Sequence, residues 1–523
     1  MTSFYYKPND GWPADFIPFY DNGRFYLYYL KDWRNPEQYG EGTPWYLIST
    51  IDFVNYEDHG EVIPRGSKEE QDLYIFTGCI LKANGIFHIY YTGHNPHYRE
   101  QGKPEQAVMH AISSDLMNWQ KIYEDTFYAP IDQYEQHDWR DPFVFWNEET
   151  EEYWMLLAAR TKGCLPTFDE HIQYLHLHQG NSQEKGGCTA LCVSKDLKNW
   201  VIKEPFWKPN LFFTHECPDL FKIGDWWYLI YSTFCERVVT HYSMSRSLEG
   251  PWLIPSDDAF DGRAFYAAKS WSDGNNKRFL FGWNPTKSNH QDDGAWNWGG
   301  NLIVHEIIQR IDGTLCVKIP TTVDHAFTEN IPLKLSPFIG NCAITNTRVT
   351  FDGVDEFSSV IAGQLPNLCN IKLNIEFDEH TRSCGIYLGG SHDHAQSYRI
   401  CLDILNNTLV LDSDYKFWDH TEVNDPSRVY KPWEYRWDYA PSNELFRPIE
   451  LIAGEIYEFN IIIDDTLCEI YLNQQVVLSA RLYHLPHSIW GIFATEGKVI
   501  FDKIKLSGFQ NNLIKSSHIE NAD

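Results

Sequence analysis

Three acidic residues sit where the chain otherwise reads as buried strand: Asp15 in GWPADFIPFY, Asp141 in DWRDPF and Glu216 in HECPDLF. Burying a carboxylate without a partner is costly. A chain that does so repeatedly either stabilises the charges locally or uses them. Brought together, three carboxylates have the chemistry for cleaving a glycosidic bond. One acts as nucleophile, a second donates and then removes a proton, and a third binds sugar hydroxyls. Crowding helps, because each carboxylate raises the proton affinity of its neighbours and keeps an acid protonated near neutrality. Taken singly, each residue has a plainer reading. Asp141 would cap a turn and pair with Arg140, and Glu216 would be a solvated charge at a strand end. Convergence is what separates the readings, and that depends on the elements carrying the acids.

Those elements repeat. A turn followed by a dense apolar strand recurs as NGRFYLYYL, NGIFHIYYTG, TEEYWMLLAA, GDWWYLIYS and NKRFLFGW. A second motif follows four of these: STIDFVNYE, SSDLMNWQK, SKDLKNWVI and SRSLEGPWL. Each unit reads as four short antiparallel strands, and five such units predict a five-bladed β-propeller over residues 1–325. In a propeller the first strand of each blade runs along the central channel. Asp15 lies eight residues before Gly23, Glu216 eight before Gly224, and Asp141 nine before Thr150. The spacing places all three at equivalent strand starts, which converge on one mouth of the channel. Long connections reach the same mouth and carry Trp33, His94, His97, Trp296 and Trp298. Long loops gathered on one face of a rigid scaffold build binding sites. Trp12, Trp33 and Trp45 also fall near the mouth as candidate sugar contacts.

Composition narrows the partner. A formal net charge of −29 argues against nucleic acid and anionic membrane, which need basic patches. A neutral small molecule is the easier substrate, and 16% aromatic residues suit propeller and sandwich cores and sugar stacking alike. The start MTSFYYKPNDGW has no basic and then apolar leader, and no apolar run is long enough to span a bilayer. The expectation is a cytoplasmic protein whose 12 cysteines are free thiols. No cofactor and no metal site are expected: Cys188 and Cys192 form an isolated pair, and the histidines at 176–179 and 391–394 lie in an insertion and in a turn of another domain.

The motifs taken together resemble glycoside hydrolase family 32, the β-fructofuranosidases, invertases and fructanases. WRDPFVFWNEETEEYWMLL resembles the family's Arg-Asp-Pro stretch, and HECPDLF its Glu-Cys motif. YIFTGCI with IYYTGHN resembles the segment lining its fructose pocket, which brings in Phe76 and Thr77. AFYAAKSWSDGNNKRFLFGWN resembles its fifth-blade strand pair and includes Tyr266. The resemblance covers essentially the whole chain. It implies that Asp141 stabilises the transition state, Glu216 is the acid/base and Arg140 binds substrate hydroxyls. The first motif departs from the family's Asn-Asp-Pro-Asn-Gly, since NDGWPADFIPFYDNG offers both Asp10 and Asp15. Asp15 is taken as nucleophile because it has the strand-start spacing of Glu216, and because the segment resembles a variant Gly-Asp-x-x-Pro-Phe-Tyr form. Asp10 reads as a turn residue. The implied activity is retaining hydrolysis of terminal β-D-fructofuranosyl residues from sucrose-like or short fructo-oligosaccharide substrates. Fructosyl transfer, an inverting furanosidase and a non-catalytic sugar-binding propeller are the alternatives.

After the blades, a linker at 326–339 is expected, then a β-sandwich over 340–510 and a tail at 511–523. The sandwich carries no acidic trio. The resemblance implies a structural domain that packs on the propeller and supports a homodimer. The blade-three insertion, roughly Arg160 to Gly187, is expected to wall the cleft and select short substrates.

Overall fold

The computed structural model describes residues 4–162, 186–234, 237–292, 294–390, 397–413, 445–483 and 488–509. The blade-three insertion therefore falls largely outside the described residues, as do the histidines at 176–179 and 391–394 and the C-terminal tail.

Five antiparallel sheets form the propeller. Their channel-lining strands are Trp12–Asp21, Tyr74–Ala83, Tyr134–Asn147, Glu216–Ile223 and Tyr266–Ser272. Each packs beside the next, and the fifth packs against the first to close the ring. The second strands explain why the blades stack. In Arg24–Asp32, the consecutive residues Leu27, Tyr28, Tyr29 and Leu30 are all fully buried. Neighbouring strand residues point to opposite faces, so both faces of this sheet are covered by other blades. Each such side chain contributes roughly 1.5–3 kcal/mol of burial, which accounts for the density of aromatic residues.

The Ser-x-Asp repeats are turn locks. Asp115 Oδ1 accepts from the backbone of Met117 and Asn118 at 2.9 and 2.8 Å. Asp196 repeats this with Lys198 and Asn199 at 2.9 and 2.8 Å. Leu116 and Leu197 take the left-handed backbone that the turn needs. Blade four departs from the four-strand expectation. Among the described residues its sheet has three strands, and two isolated bridges, His241 with Ala259 and Met244 with Leu253, replace the outer one. Pro251 and Pro255 flank the second bridge and have no N–H to extend a ladder.

Among the described residues the second domain is a sandwich of an eight-stranded and a seven-stranded sheet. It begins earlier than the sequence suggests. Glu329–Ile331 pairs with Lys498–Gly508, and Ser336–Ile339 pairs with Phe357–Gln364, so much of the expected linker is sheet. These edge strands are short and mostly exposed and owe their form to distant partners. Polar bonds join the domains: Arg447 Nη2 meets both carboxylate oxygens of Asp257 at 2.9 and 3.0 Å, and Arg481 Nη2 donates to the Asn284 carbonyl at 3.0 Å. The described cysteines form no disulfide.

Candidate active site

Every channel-lining strand is broken by a bulge at the same height. The pairing register slips at Asp15, Thr77, Asp141, Cys217 and Ala267. An extra residue in one strand re-aims side chains and sharpens the local bend. Four of the five adopt positive φ: 43° at Asp15, 59° at Asp141, 53° at Cys217 and 50° at Ala267. That backbone is strained for a residue with a side chain, though Asp tolerates it better than most.

The bulges define two levels. Asp15, Thr77, Asp141, Cys217 and Ala267 form the deeper ring. The residues just before them, Ala14, Phe76, Arg140, Glu216 and Tyr266, form the ring nearer the mouth. The expected equivalence of the three acids thus needs correcting by one residue. Asp15 and Asp141 are equivalent, while Glu216 stands one position closer to the mouth. Counting back to the turn glycine hid this, because glycine is the second residue of the blade-one turn and the first of the blade-four turn.

All three acids line one cavity of about 700 Å³. Asp15 accepts from the Thr77 hydroxyl at 2.7 Å and from Trp283 Nε1 at 3.0 Å. Burial pushes its carboxyl up to about 7; Asp141 and Glu216 add to the rise and the two donors oppose it. Asp141 Oδ2 accepts from the Cys217 backbone N–H at 2.9 Å, and the Asp141 N–H donates to Thr92 Oγ1 at 2.7 Å. Glu216 is gripped at both oxygens: Arg140 Nη2 donates to Oε1 at 3.2 Å and the Tyr266 hydroxyl to Oε2 at 2.6 Å. Burial raises the Glu216 pKa as well, with Asp141 adding and Arg140 and Tyr266 opposing. Arg140 is itself oriented by Asp138, at 2.7 Å, and by Thr214, at 3.1 Å.

Trp33, Phe76, Arg140, Tyr266 and Trp298 all line the cavity. Thr77 is fully buried and acts behind the wall through Asp15. Trp45 is not a sugar contact. It is fully buried between blades one and two, with Nε1 donating to the Phe76 carbonyl at 3.2 Å. It opens a strand, and a strand start reached from a long loop looked like the rim. Trp12 and Trp296 also lie outside the cavity lining, each beneath a cation: Arg34 at 4.6 Å and Lys287 at 4.5 Å from the ring centres. Asp219 faces away from the mouth, accepting from the Ser270 N–H and hydroxyl at 2.7 and 2.6 Å. Sequence reasoning missed Trp283, Thr92, Thr214 and Asp138. Asp138 alone left a local signal, two residues before Arg140.

Comparison with known proteins agrees with this fold. The profile of the glycosyl hydrolases family 32 N-terminal domain matches residues 5–171 and 166–310, and that of the family 32 C-terminal domain matches 344–508. The chain belongs to glycosyl hydrolase family 32. It is a glycosidase of that family. Its sequence is similar to the sucrose-6-phosphate hydrolase of Escherichia coli, 20% identical over 92% of this chain and 89% of that protein. The sucrose-6-phosphate hydrolase of Vibrio alginolyticus is 24% identical, and there the match covers 57% of this chain and 58% of that protein. In fold, the family 32 chain resembles the sucrose-6-phosphate hydrolase structure from Lactobacillus gasseri. That match has a TM-score of 0.69 at 16% identity and covers 98% of this chain and 93% of that one.

Proposed function

We propose that this family 32 glycosidase is a retaining β-fructofuranosidase acting on sucrose-like or short fructo-oligosaccharide substrates. The observation that carries the reading is the two-level arrangement of the acids. Asp15 lies deep, with its carboxylate aimed by two donors, and Glu216 stands one level nearer the mouth, where a departing sugar would leave. In this reading an oxygen of Asp15 attacks the anomeric carbon of the fructosyl unit while protonated Glu216 gives its proton to the glycosidic oxygen. The C–O bond breaks and a fructosyl ester of Asp15 remains. Water enters on the vacated side, Glu216 removes its proton, and the ester is hydrolysed. Asp141 holds fructosyl hydroxyls and favours the oxocarbenium-like transition state. Arg140 binds hydroxyls and, with Tyr266, keeps Glu216 in place.

Short sugars are the proposed substrates and the cytoplasm the proposed place of action. The test is an NMR time course with sucrose and 1-kestose. Retention requires the β anomer of fructose to appear first and then mutarotate. Initial release of the α anomer, or sugar binding without release, would overturn the proposal.

A further inference from the structure

Beyond the acids the cavity opens between the blade-one loop at 32–44 and the blade-two loop at 94–97. Glu41 stands in this outer wall. Its carboxylate meets His97 Nε2 at 3.0 and 2.9 Å, accepts from the Tyr74 hydroxyl at 3.4 Å, and lies 3.6 Å from Lys68 Nζ. Burial works against its charge, but His97 and Lys68 outweigh it and hold the carboxyl below the usual range. Glu41 is thus a fixed anion with part of its surface open to the cavity.

Its depth follows from the strand it leans on. Tyr74 precedes Thr77 by three residues, and Thr77 donates to Asp15. At about 3.3 Å per residue, the Tyr74 anchor lies roughly 10 Å along the strand from the level of Asp15. Glu41, which meets the Tyr74 hydroxyl, thus stands on the cavity wall beyond the level where the bond is cleaved. Lys68 is paired with Glu41 itself, and the cations that line the cavity are held by other partners. Among the described residues lining the cavity, they are Arg34 and Arg140. Arg34 donates to Thr286 Oγ1 and to the carbonyls of Trp298 and Gly299 at 2.7, 2.6 and 3.1 Å. Arg140 is held by Asp138, Thr214 and Glu216.

Resting on the fructosidase reading, we propose that Glu41 makes the second-sugar site selective for an uncharged hexose and against a phosphorylated one. A fixed carboxylate accepts hydrogen bonds from sugar hydroxyls. A phosphate dianion offers it no donor and meets it as a like charge. This chain would then differ in substrate from the sucrose-6-phosphate hydrolases it resembles.

The experiment compares kcat/KM for methyl β-D-fructofuranoside, sucrose and sucrose 6-phosphate, the last carrying its phosphate on the glucose. The expected result is at least a tenfold preference for sucrose over its phosphate. Glu41→Gln narrows that ratio about tenfold, by weakening sucrose use and improving use of the phosphate. The methyl fructoside has no second ring, so it reports the reaction itself. If it is not cleaved, and sucrose is not either, the fructosidase reading fails. If it is cleaved while sucrose 6-phosphate matches or exceeds sucrose in the native protein, the Glu41 assignment fails, whatever the variant does. The assignment also fails if Glu41→Gln leaves the ratio unchanged.

Discussion

Removing the Thr77 hydroxyl should move the acid limb of the pH profile upward. Thr77 Oγ1 donates to Asp15 Oδ2 at 2.7 Å inside a fully buried shell. Thr77→Val keeps the shape and deletes the donor, leaving Trp283 alone on the carboxylate. A hydrogen bond to a charged group contributes about 1.5–3 kcal/mol. At 1.36 kcal/mol per unit, its loss raises the Asp15 pKa by about 1 to 2 units. The sign follows from the role: Asp15 must be ionised to attack, and burial already holds it up to about 7. The native profile of kcat/KM should therefore fall below about pH 7, and that of Thr77→Val below about pH 8 to 9. At pH 6 the variant loses roughly tenfold or more relative to the native protein, while near its own optimum much of the loss is recovered. Initial rates on sucrose between pH 4.5 and 10 measure this. An acid limb that stays in place or moves down would refute the assignment of Asp15 as the ionised group.

Three further outcomes are expected. Glu216→Gln should lower kcat/KM, which reports formation of the fructosyl ester, by roughly 10²–10⁴ on sucrose and by far less on p-nitrophenyl β-D-fructofuranoside, whose leaving group needs no proton; equal losses of kcat/KM on both would contradict the proton-donor role. Asp15→Asn should stabilise the fold at pH 8 but not at pH 4, because a carboxyl whose pKa is raised by folding costs stability as pH climbs from its unfolded value through about 7. That cost is of order a few kcal/mol, and thermal unfolding at the two pH values reads it directly. Glu469→Gln tests the same linkage at the domain interface, where burial lifts Glu469 to about 7 and the Tyr5 and Tyr471 hydroxyls donate at 2.5 and 3.2 Å. The variant should gain unfolding temperature at pH 8 relative to pH 5, and a gain equal at both would assign it to packing alone.

What the amino-acid sequence determined by itself was the repeating architecture and the identity of the acids. Turn locks such as Ser113-x-Asp115 and strands such as RFYLYYL are local patterns, so five copies of one unit can be counted along the chain. Asp15, Asp141 and Glu216 are legible for the same reason, since a carboxylate inside a strand pattern stands out residue by residue. Tertiary structure alone decided how they meet. The bulges that set Glu216 one level above Asp15 and Asp141 are differences of register between paired strands, and register belongs to the pair rather than to either segment. Trp283 reaches Asp15 across 268 residues because blade five closes the ring against blade one. Trp45 left the expected site for the core, and the expected linker became sheet edge, because each found a partner far away in sequence. Local pattern specifies a strand and its turn. Which neighbour that strand meets, and at what offset, exists only once distant segments are packed together.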